Sequence, residues 1–205
     1  MLTIDDRGDA NECSVDENDD CGGDSNKMAL FWKHSIVQIN LLGSMGYLKA
    51  SLGDLESAFD YLDKAVAGAK RLDNEKIFVH IQLQRTAILQ LVGRFDEAKE
   101  DLLDIREICL KSGRRYRIAH CANDLGEIAR FDGDVEAAES YYRESLDFYE
   151  SIGAVNSGWI PQVNLGILLA EQGRALEARE YLEQVLIRLT RLNQIQLLGG
   201  LHIVL

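Results

Sequence analysis

Apolar residues recur every three or four positions along most of the 205-residue chain, which is the spacing of one face of an α-helix. The segment that starts at residue 55 shows it, with apolar side chains at Leu55, Ala58, Leu62 and Ala65. Glycine or polar residues interrupt the pattern at short intervals, and the chain holds one proline, a residue that helix interiors exclude. The pattern predicts an all-α protein of helices joined by short turns.

Small residues divide these helices into four blocks of equal length. A turn glycine recurs every 40 residues, at Gly53, Gly93, Gly133 and Gly173. Five residues later stands an alanine in each block, Ala58, Ala98, Ala138 and Ala178, and seven residues before each glycine stands Gly46, Thr86, Gly126 or Gly166. Each block is therefore predicted to be a hairpin of two antiparallel helices, which touch at the small residues and turn at the glycine.

Positions that recur every 40 residues form columns when the four blocks are aligned, and these columns also suggest how the chain is organised. The four hairpins fall at approximately 28–72, 73–112, 113–152 and 153–192. Residues 1–27 are acidic and poor in large apolar groups, so we expect a disordered tail. Residues 193–205 read as the first half of a fifth hairpin or an end helix, and they end on three apolar residues. Either the natural protein continues, or this apolar end contacts another chain.

The blocks resemble the signature of the tetratricopeptide repeat (TPR) family. Block three reads Leu125-Gly126 … Gly133-Asp134 … Ala138 … Tyr141-Tyr142, and block four carries the same columns. Block two is the weakest, because Thr86 replaces the glycine. The 40-residue period exceeds the usual 34 or so and is similar to the long repeats of kinesin light chains and bacterial multidomain signalling proteins. The resemblance implies a right-handed superhelical solenoid that binds other proteins.

In this family the first helix of each hairpin lines a concave groove. The resemblance places these residues there: Asn40, Tyr47, His80, Gln84, His120, Asn123, Asp124, Glu127, Arg130, Phe131 and Asn164. Such a mixed polar and aromatic surface suits a bound peptide or helix. The carboxylate clamp of chaperone-type arrays is not expected, since neither frame of the clamp positions holds a cation. The first frame is Gly43, Tyr47, Gln84, His120 and Asp124, and the second is Leu83, Ala87, Asp124, Ile160 and Asn164.

Charge and hydropathy narrow the classes of partner that we expect for this chain. The net charge is −12, and a basic patch that could neutralise phosphates is missing from the sequence, so nucleic acid is not an expected ligand. The sequence has no run of about 18 apolar residues for a bilayer, and its N-terminus lacks the features of a signal peptide. We therefore expect a cytoplasmic protein whose partner is another protein or peptide.

Catalysis and metal binding find little support in the sequence. His80 and His120 occupy one column, with Cys121 beside His120, but neither Cys-x-x-Cys nor His-x-x-x-His occurs. A phosphate-binding loop and a nucleophile with its base are also missing. We expect no metal, no cofactor and no enzymatic activity. Two hypotheses remain. The first is an interaction scaffold. The second is a regulatory segment of a larger bacterial signalling protein (kinase, ATPase or transcription activator), in which the array packs against its own catalytic domain or self-associates through 193–205.

Overall fold

The computed structural model describes residues 24–191, with side chains from residue 35 onward. It contains eight α-helices: α1 (Asp24–Ser51), α2 (Leu55–Arg71), α3 (Glu75–Leu91), α4 (Phe95–Lys111), α5 (Arg115–Phe131), α6 (Val135–Ser151), α7 (Trp159–Glu171) and α8 (Ala175–Arg191). A short 3-10 helix (Val155–Gly158) precedes α7. All regular structure in this part is helical, which confirms the predicted fold of stacked hairpins. The predicted fifth hairpin and most of the predicted tail lie outside the described residues.

The turn glycines share a backbone conformation rather than a packing environment. Gly53, Gly93, Gly133 and Gly173 all have positive φ, between 76° and 81°. A Cβ added at any of them would meet nothing within 4 Å. Glycine is needed here because the left-handed backbone is costly for other residues. The turns between hairpins use the same conformation, at Gly113, Gly153 and Asp73.

The other small residues mark where two helices of one hairpin approach most closely. A Cβ on Gly126 would lie 2.7 Å from the Tyr142 ring, and one on Gly166 would lie 2.8 Å from Leu182. Ala138 is completely buried in the facing helix. In the second hairpin Thr86 occupies the glycine position and is completely buried. The column of small residues therefore lies at the contact between the paired helices.

Two kinds of residue begin the second helices. The Asp54 and Asp134 side chains cap α2 and α6, and Asp134 Oδ1 accepts from the Ala137 amide at 3.0 Å. Arg94 stands at the same position before α4 and makes no such cap. Its guanidinium binds Glu97 in the first turn through two contacts of 2.6 Å. A carboxylate thus faces the positive end of each helix dipole, from the cap or from the third helical residue.

The second helix of each hairpin also packs against the first helix of the next one. Ala65 and Ala69 of α2 share a cluster with Ile81 of α3, and Cys109 of α4 shares one with Cys121 of α5. Three such clusters join each hairpin to the next one along the array. The first helices are left to line one surface of the array and the second helices the opposite surface, which is the arrangement of a superhelical solenoid.

Candidate functional site

Four of the predicted groove residues form a connected chain of polar side chains on α5 and α7, which we term the polar chain. Asn164 Nδ2 on α7 donates to Asn123 Oδ1 on α5 at 3.1 Å. Asn123 Nδ2 donates to Asp124 Oδ1 at 3.2 Å. Asp124 Oδ2 in turn lies 3.1 Å from His120 Nδ1. The structure therefore links two successive repeats through side chains that the sequence assigned to the groove.

Helical periodicity explains why these side chains share a surface. On α5, positions 120, 123, 124 and 127 follow the spacing of one helix face and keep partial contact with solvent. The opposite face carries Cys121, Leu125 and Ile128, which are at most 1% exposed. The buried face fixes the rotation of α5, and this rotation presents the polar chain on the open side.

Their surroundings shift the pKa values of the two predicted groove histidines in opposite directions. The Asp124 carboxylate raises the pKa of His120, and burial and Arg117 oppose that shift. Burial and then the charge of Arg117 lower the pKa of His80. Arg117 itself has no carboxylate within 4.0 Å among residues 35–191. It was not among the predicted groove residues, although it stands three residues before His120 and so on the same side of the helix.

Glu127 connects the groove to the core. The hydroxyl of Tyr142, a side chain with no exposed surface, donates to Glu127 Oε1 at 2.6 Å. Burial, with Glu127 as acceptor, raises the pKa of this tyrosine far above its usual range. This bond was not predicted, because a tyrosine at a packing position in the sequence does not reveal where its hydroxyl points. Glu127 is therefore a predicted groove residue whose side chain also contacts the core of the hairpin.

Arg130 and Phe131 lie at the turn end of α5, at the edge of the groove. Arg130 Nη1 lies 3.2 Å from Glu171 Oε1 at the end of α7. The Phe131 ring stacks on Phe95 at the start of α4, with centroids 5.0 Å apart. Phe131 is still 62% exposed. The pair offers an apolar platform beside the polar chain rather than within it.

The predicted groove residues of the first two repeats do not join the polar chain. His80 Nε2 lies 3.3 Å from Gln84 Nε2 on the same helix, and Gln84 Oε1 packs directly against Gly43. Asn40 and Tyr47 are exposed on α1. Among residues 35–191 no hydrogen bond connects these side chains to α5 or α7. The connected part of the candidate site thus belongs to repeats three and four.

Comparison with known proteins agrees with this architecture. The tetratricopeptide repeat family matches residues 80–151 and again residues 162–194, together about half of the chain. The chain belongs to the tetratricopeptide repeat family. No curated protein matches this TPR chain.

Solved structures share the fold of this TPR array at low sequence identity. It resembles a signal transduction ATPase with numerous domains (STAND) protein with a tetratricopeptide repeat sensor from Pyrococcus horikoshii, at 18% identity and a TM-score of 0.71. The match covers 88% of this chain and 29% of the STAND protein. A Rap protein complexed with Competence and Sporulation Factor matches at 15% identity and a TM-score of 0.72, covering 81% and 46% of the two chains.

A putative kinesin light chain from Podosopora anserina, with nearly identical TPR-like repeats, matches at 21% identity and a TM-score of 0.62. The match covers 76% of this chain and 77% of that one. The array thus spans less than half of the STAND and Rap proteins but most of the kinesin light chain repeat structure. These likenesses show a shared fold, and the family and its neighbours indicate a protein-interaction or regulatory repeat module.

The described part of the TPR array offers little other chemistry. No group of three or more His, Cys, Asp or Glu side chains that could hold a metal ion occurs there. Cys109 and Cys121 are free thiols with no exposed surface, and burial raises the pKa of both. Cys13 and Cys21 lie outside the described residues. No helix of residues 24–191 is both long and apolar enough to cross a membrane.

Proposed function

We propose that this TPR array binds a segment of another protein, as a peptide or a helix, along the face formed by α5 and α7. The observation that supports this proposal is the polar chain, in which Asn164 reaches Asn123 across two repeats at 3.1 Å. Holding two amide side chains in place in advance lowers the entropy that binding costs. TPR repeats are typically non-catalytic interaction modules, and the similar Rap protein was solved in complex with Competence and Sporulation Factor.

The polar chain keeps hydrogen-bonding capacity for a partner. A carboxamide can donate two hydrogen bonds and accept two. Asn164 Nδ2 donates to Asn123, while Asn164 Oδ1 accepts no hydrogen bond from residues 35–191. Asn123 Nδ2 donates to Asp124 and has a second hydrogen. Both asparagines can therefore pair with the N–H and C=O groups of a partner's backbone or with its polar side chains.

Charged groups around the polar chain favour a partner of mixed composition. Asp124 and Glu127 contribute negative charge, and Arg117 and Arg130 contribute positive charge. The exposed Phe131 ring adds apolar contact at one end. The proposal includes the cytoplasmic location expected from the sequence and needs no cofactor.

Selection of binding peptides tests this proposal and does not require the natural partner. Peptides would be selected from a random displayed library on the full chain, and their affinities measured by fluorescence anisotropy. We expect the double substitution Asn123→Ala with Asn164→Ala to raise the dissociation constants of the selected peptides at least about tenfold. A loss of about 1.4 kcal/mol in binding free energy is enough for that change. Asn156 is an exposed asparagine on the short 3-10 helix. Asn156→Ala is therefore the matched control and should leave the peptide affinities unchanged.

If the selected peptides bind the double variant as well as the original chain, the site is not the polar chain. Far-ultraviolet circular dichroism of the variants shows whether the array still folds. Glu127→Ala is a poor probe of binding, because it also removes the acceptor of the buried Tyr142 hydroxyl.

A second candidate is a regulatory role within a larger signalling protein, a kinase, ATPase or transcription activator. It is supported by the STAND protein, of which the match covers 29% and whose TPR part is a sensor. The test is the activity of the natural full-length protein with and without the Asn123→Ala and Asn164→Ala pair. An unchanged response to its activating partner would argue against a regulatory groove. Deletion of 193–205, followed by sedimentation, tests self-association through that segment.

A further inference from the structure

A stripe of apolar side chains on the first helix is exposed to solvent; we term it the α1 stripe. It consists of Val37, Leu41, Met45, Leu48 and Leu52, which are 57%, 60%, 37%, 50% and 72% exposed. Their spacing of three and four residues places the first four on one face of α1, and Leu52, the first residue after the helix, continues that face. Single exposed apolar residues are ordinary, but a contiguous row of five indicates a contact surface.

The later repeats show what this face does elsewhere in the array. Counting 40 residues on from Leu41 and Leu48 gives Ile81 and Ile88, which are 0% and 1% exposed. Ile81 is buried in a cluster with Ala65 and Ala69 of the preceding second helix, α2. The next repeats bury the same columns: Cys121, Leu125 and Ile128, then Pro161, Leu165 and Leu168. The α1 stripe therefore has the composition of an internal helix–helix interface, and residues 35–191 supply no helix to cover it.

The charge distribution around the stripe favours contact with a second copy of the chain. From residue 35 to residue 53 the only charged side chain is Lys49, and its Nζ is paired with Asp54 at 3.0 Å. The chain as a whole carries −12, so two copies repel each other over most of their surfaces. An uncharged face is where they can approach without that repulsion, and interface cores are depleted in charged residues.

We propose that two copies of this chain pair through their α1 stripes, with the two α1 helices antiparallel. Four of the five stripe residues are placed symmetrically about the point between Ser44 and Met45, and a two-fold axis there sets Met45 of each copy opposite Ser44 of the other. A two-fold axis there places Leu41 of each copy opposite Leu48 of the other, and Val37 opposite Leu52. Such self-complementarity is what a two-fold interface requires. Antiparallel pairing also repeats the polarity with which a second helix covers the next first helix inside the array.

The size of the patch is adequate for a dimer. Two facing stripes, together with the neighbouring Tyr47 that is 64% exposed, would bury on the order of 1,000 Å², near the lower bound for a specific interface. Ser44 at the centre is small, so the two helix backbones can come close. We therefore expect a dimer of moderate affinity that depends on protein concentration.

Sedimentation velocity of the full chain at several concentrations tests the proposal. We expect a monomer–dimer equilibrium, and we expect Leu41→Glu with Leu48→Glu to weaken the dimer more than tenfold, because each glutamate would face an apolar partner without a counter-charge. Leu91→Glu with Leu176→Glu is the matched control, since these leucines are 77% and 86% exposed elsewhere and should leave the equilibrium unchanged. Circular dichroism confirms that each variant is folded.

A charge exchange tests whether the two α1 stripes face each other in the dimer. A chain with Leu41→Lys and Leu48→Lys should be monomeric alone and should form a heterodimer when mixed with the glutamate variant. A monomeric original chain, a dimer unaffected by the glutamates, or a mixture that stays monomeric would each overturn the proposal. A dimer lost on deletion of residues 193–205 but not with the glutamates would assign self-association to that segment. None of these results bears on peptide binding by α5 and α7, so the two proposals fail independently.

Discussion

Repeats two and three solve the same packing problem with different side chains. Repeat three places Gly126 against Tyr142, with a virtual Cβ 2.7 Å from the ring. Repeat two places Thr86 and Leu102 in the same columns, and both are completely buried. A larger residue on one helix is thus matched by a smaller one on the facing helix, so the repeat constrains the combined volume of the two residues rather than either residue alone.

The largest expected effect comes from exchanging the small residue. Gly126→Thr forces a branched side chain into the Tyr142 ring, and we expect it to lower the free energy of unfolding by about 3 kcal/mol. Thr86→Ala in repeat two removes a hydroxyl that donates to the Leu83 carbonyl at 2.9 Å, and it should cost about 1 kcal/mol. Urea denaturation measures both. Equal losses at the two sites would contradict the idea that the Tyr142 ring leaves no room for a side chain at position 126.

The next effect concerns the aromatic partner. Tyr142→Phe keeps the ring and removes the hydroxyl bound to Glu127 at 2.6 Å, so we expect a loss of about 1.5 kcal/mol. Tyr141→Phe on the same helix is the control, because its hydroxyl has no hydrogen-bond partner among residues 35–191. The same denaturation assay applies. If the two substitutions lower the free energy of unfolding equally, the hydrogen bond from Tyr142 to Glu127 does not stabilise the hairpin.

The start of the second helix gives a smaller contrast. Asp134→Ala removes the cap of α6, and a typical loss is about 1 kcal/mol. Arg94→Ala removes an exposed ion pair with Glu97, and we expect a smaller loss because exposed ion pairs contribute little to stability. Thermal unfolding of the two variants checks the order. A larger loss of stability for Arg94→Ala would show that the contact of Arg94 with the Phe59 ring, 4.5 Å away, stabilises the start of α4.

The smallest effect is in histidine titration. His120 faces Asp124 in repeat three, and His80 faces the uncharged Gln84 in repeat two. NMR titration should give His120 a pKa above the usual value of about 6.5 and His80 one below it. Asp124→Asn should lower the pKa of His120. The stability that the raised pKa contributes is complete below the unfolded-state pKa and disappears as pH rises through the folded one.

Sequence columns predicted the hairpins, the turns and the helix contacts because these depend on local backbone conformation and on residue size. The positive φ of Gly133 and the close contact at Gly126 follow from such properties. Two contacts could not be predicted in this way: the hydrogen bond from Tyr142 to Glu127 and the stack of Phe131 on Phe95. They depend on the directions in which side chains of neighbouring helices point, and the residue types that recur at a position do not determine those directions. Leu41 and Ile81 share a column and differ in exposure, because burial depends on the neighbouring helix.

The central proposal is that the amides of Asn123 and Asn164 contact the partner, and side-chain amide NMR tests it most directly. On adding a selected peptide to the folded chain, we predict that the Nδ2 resonances of these two asparagines shift more than that of Asn156. Shifts confined to the opposite surface, around Arg143 and Tyr181, would contradict the proposal and move the binding site to the second helices.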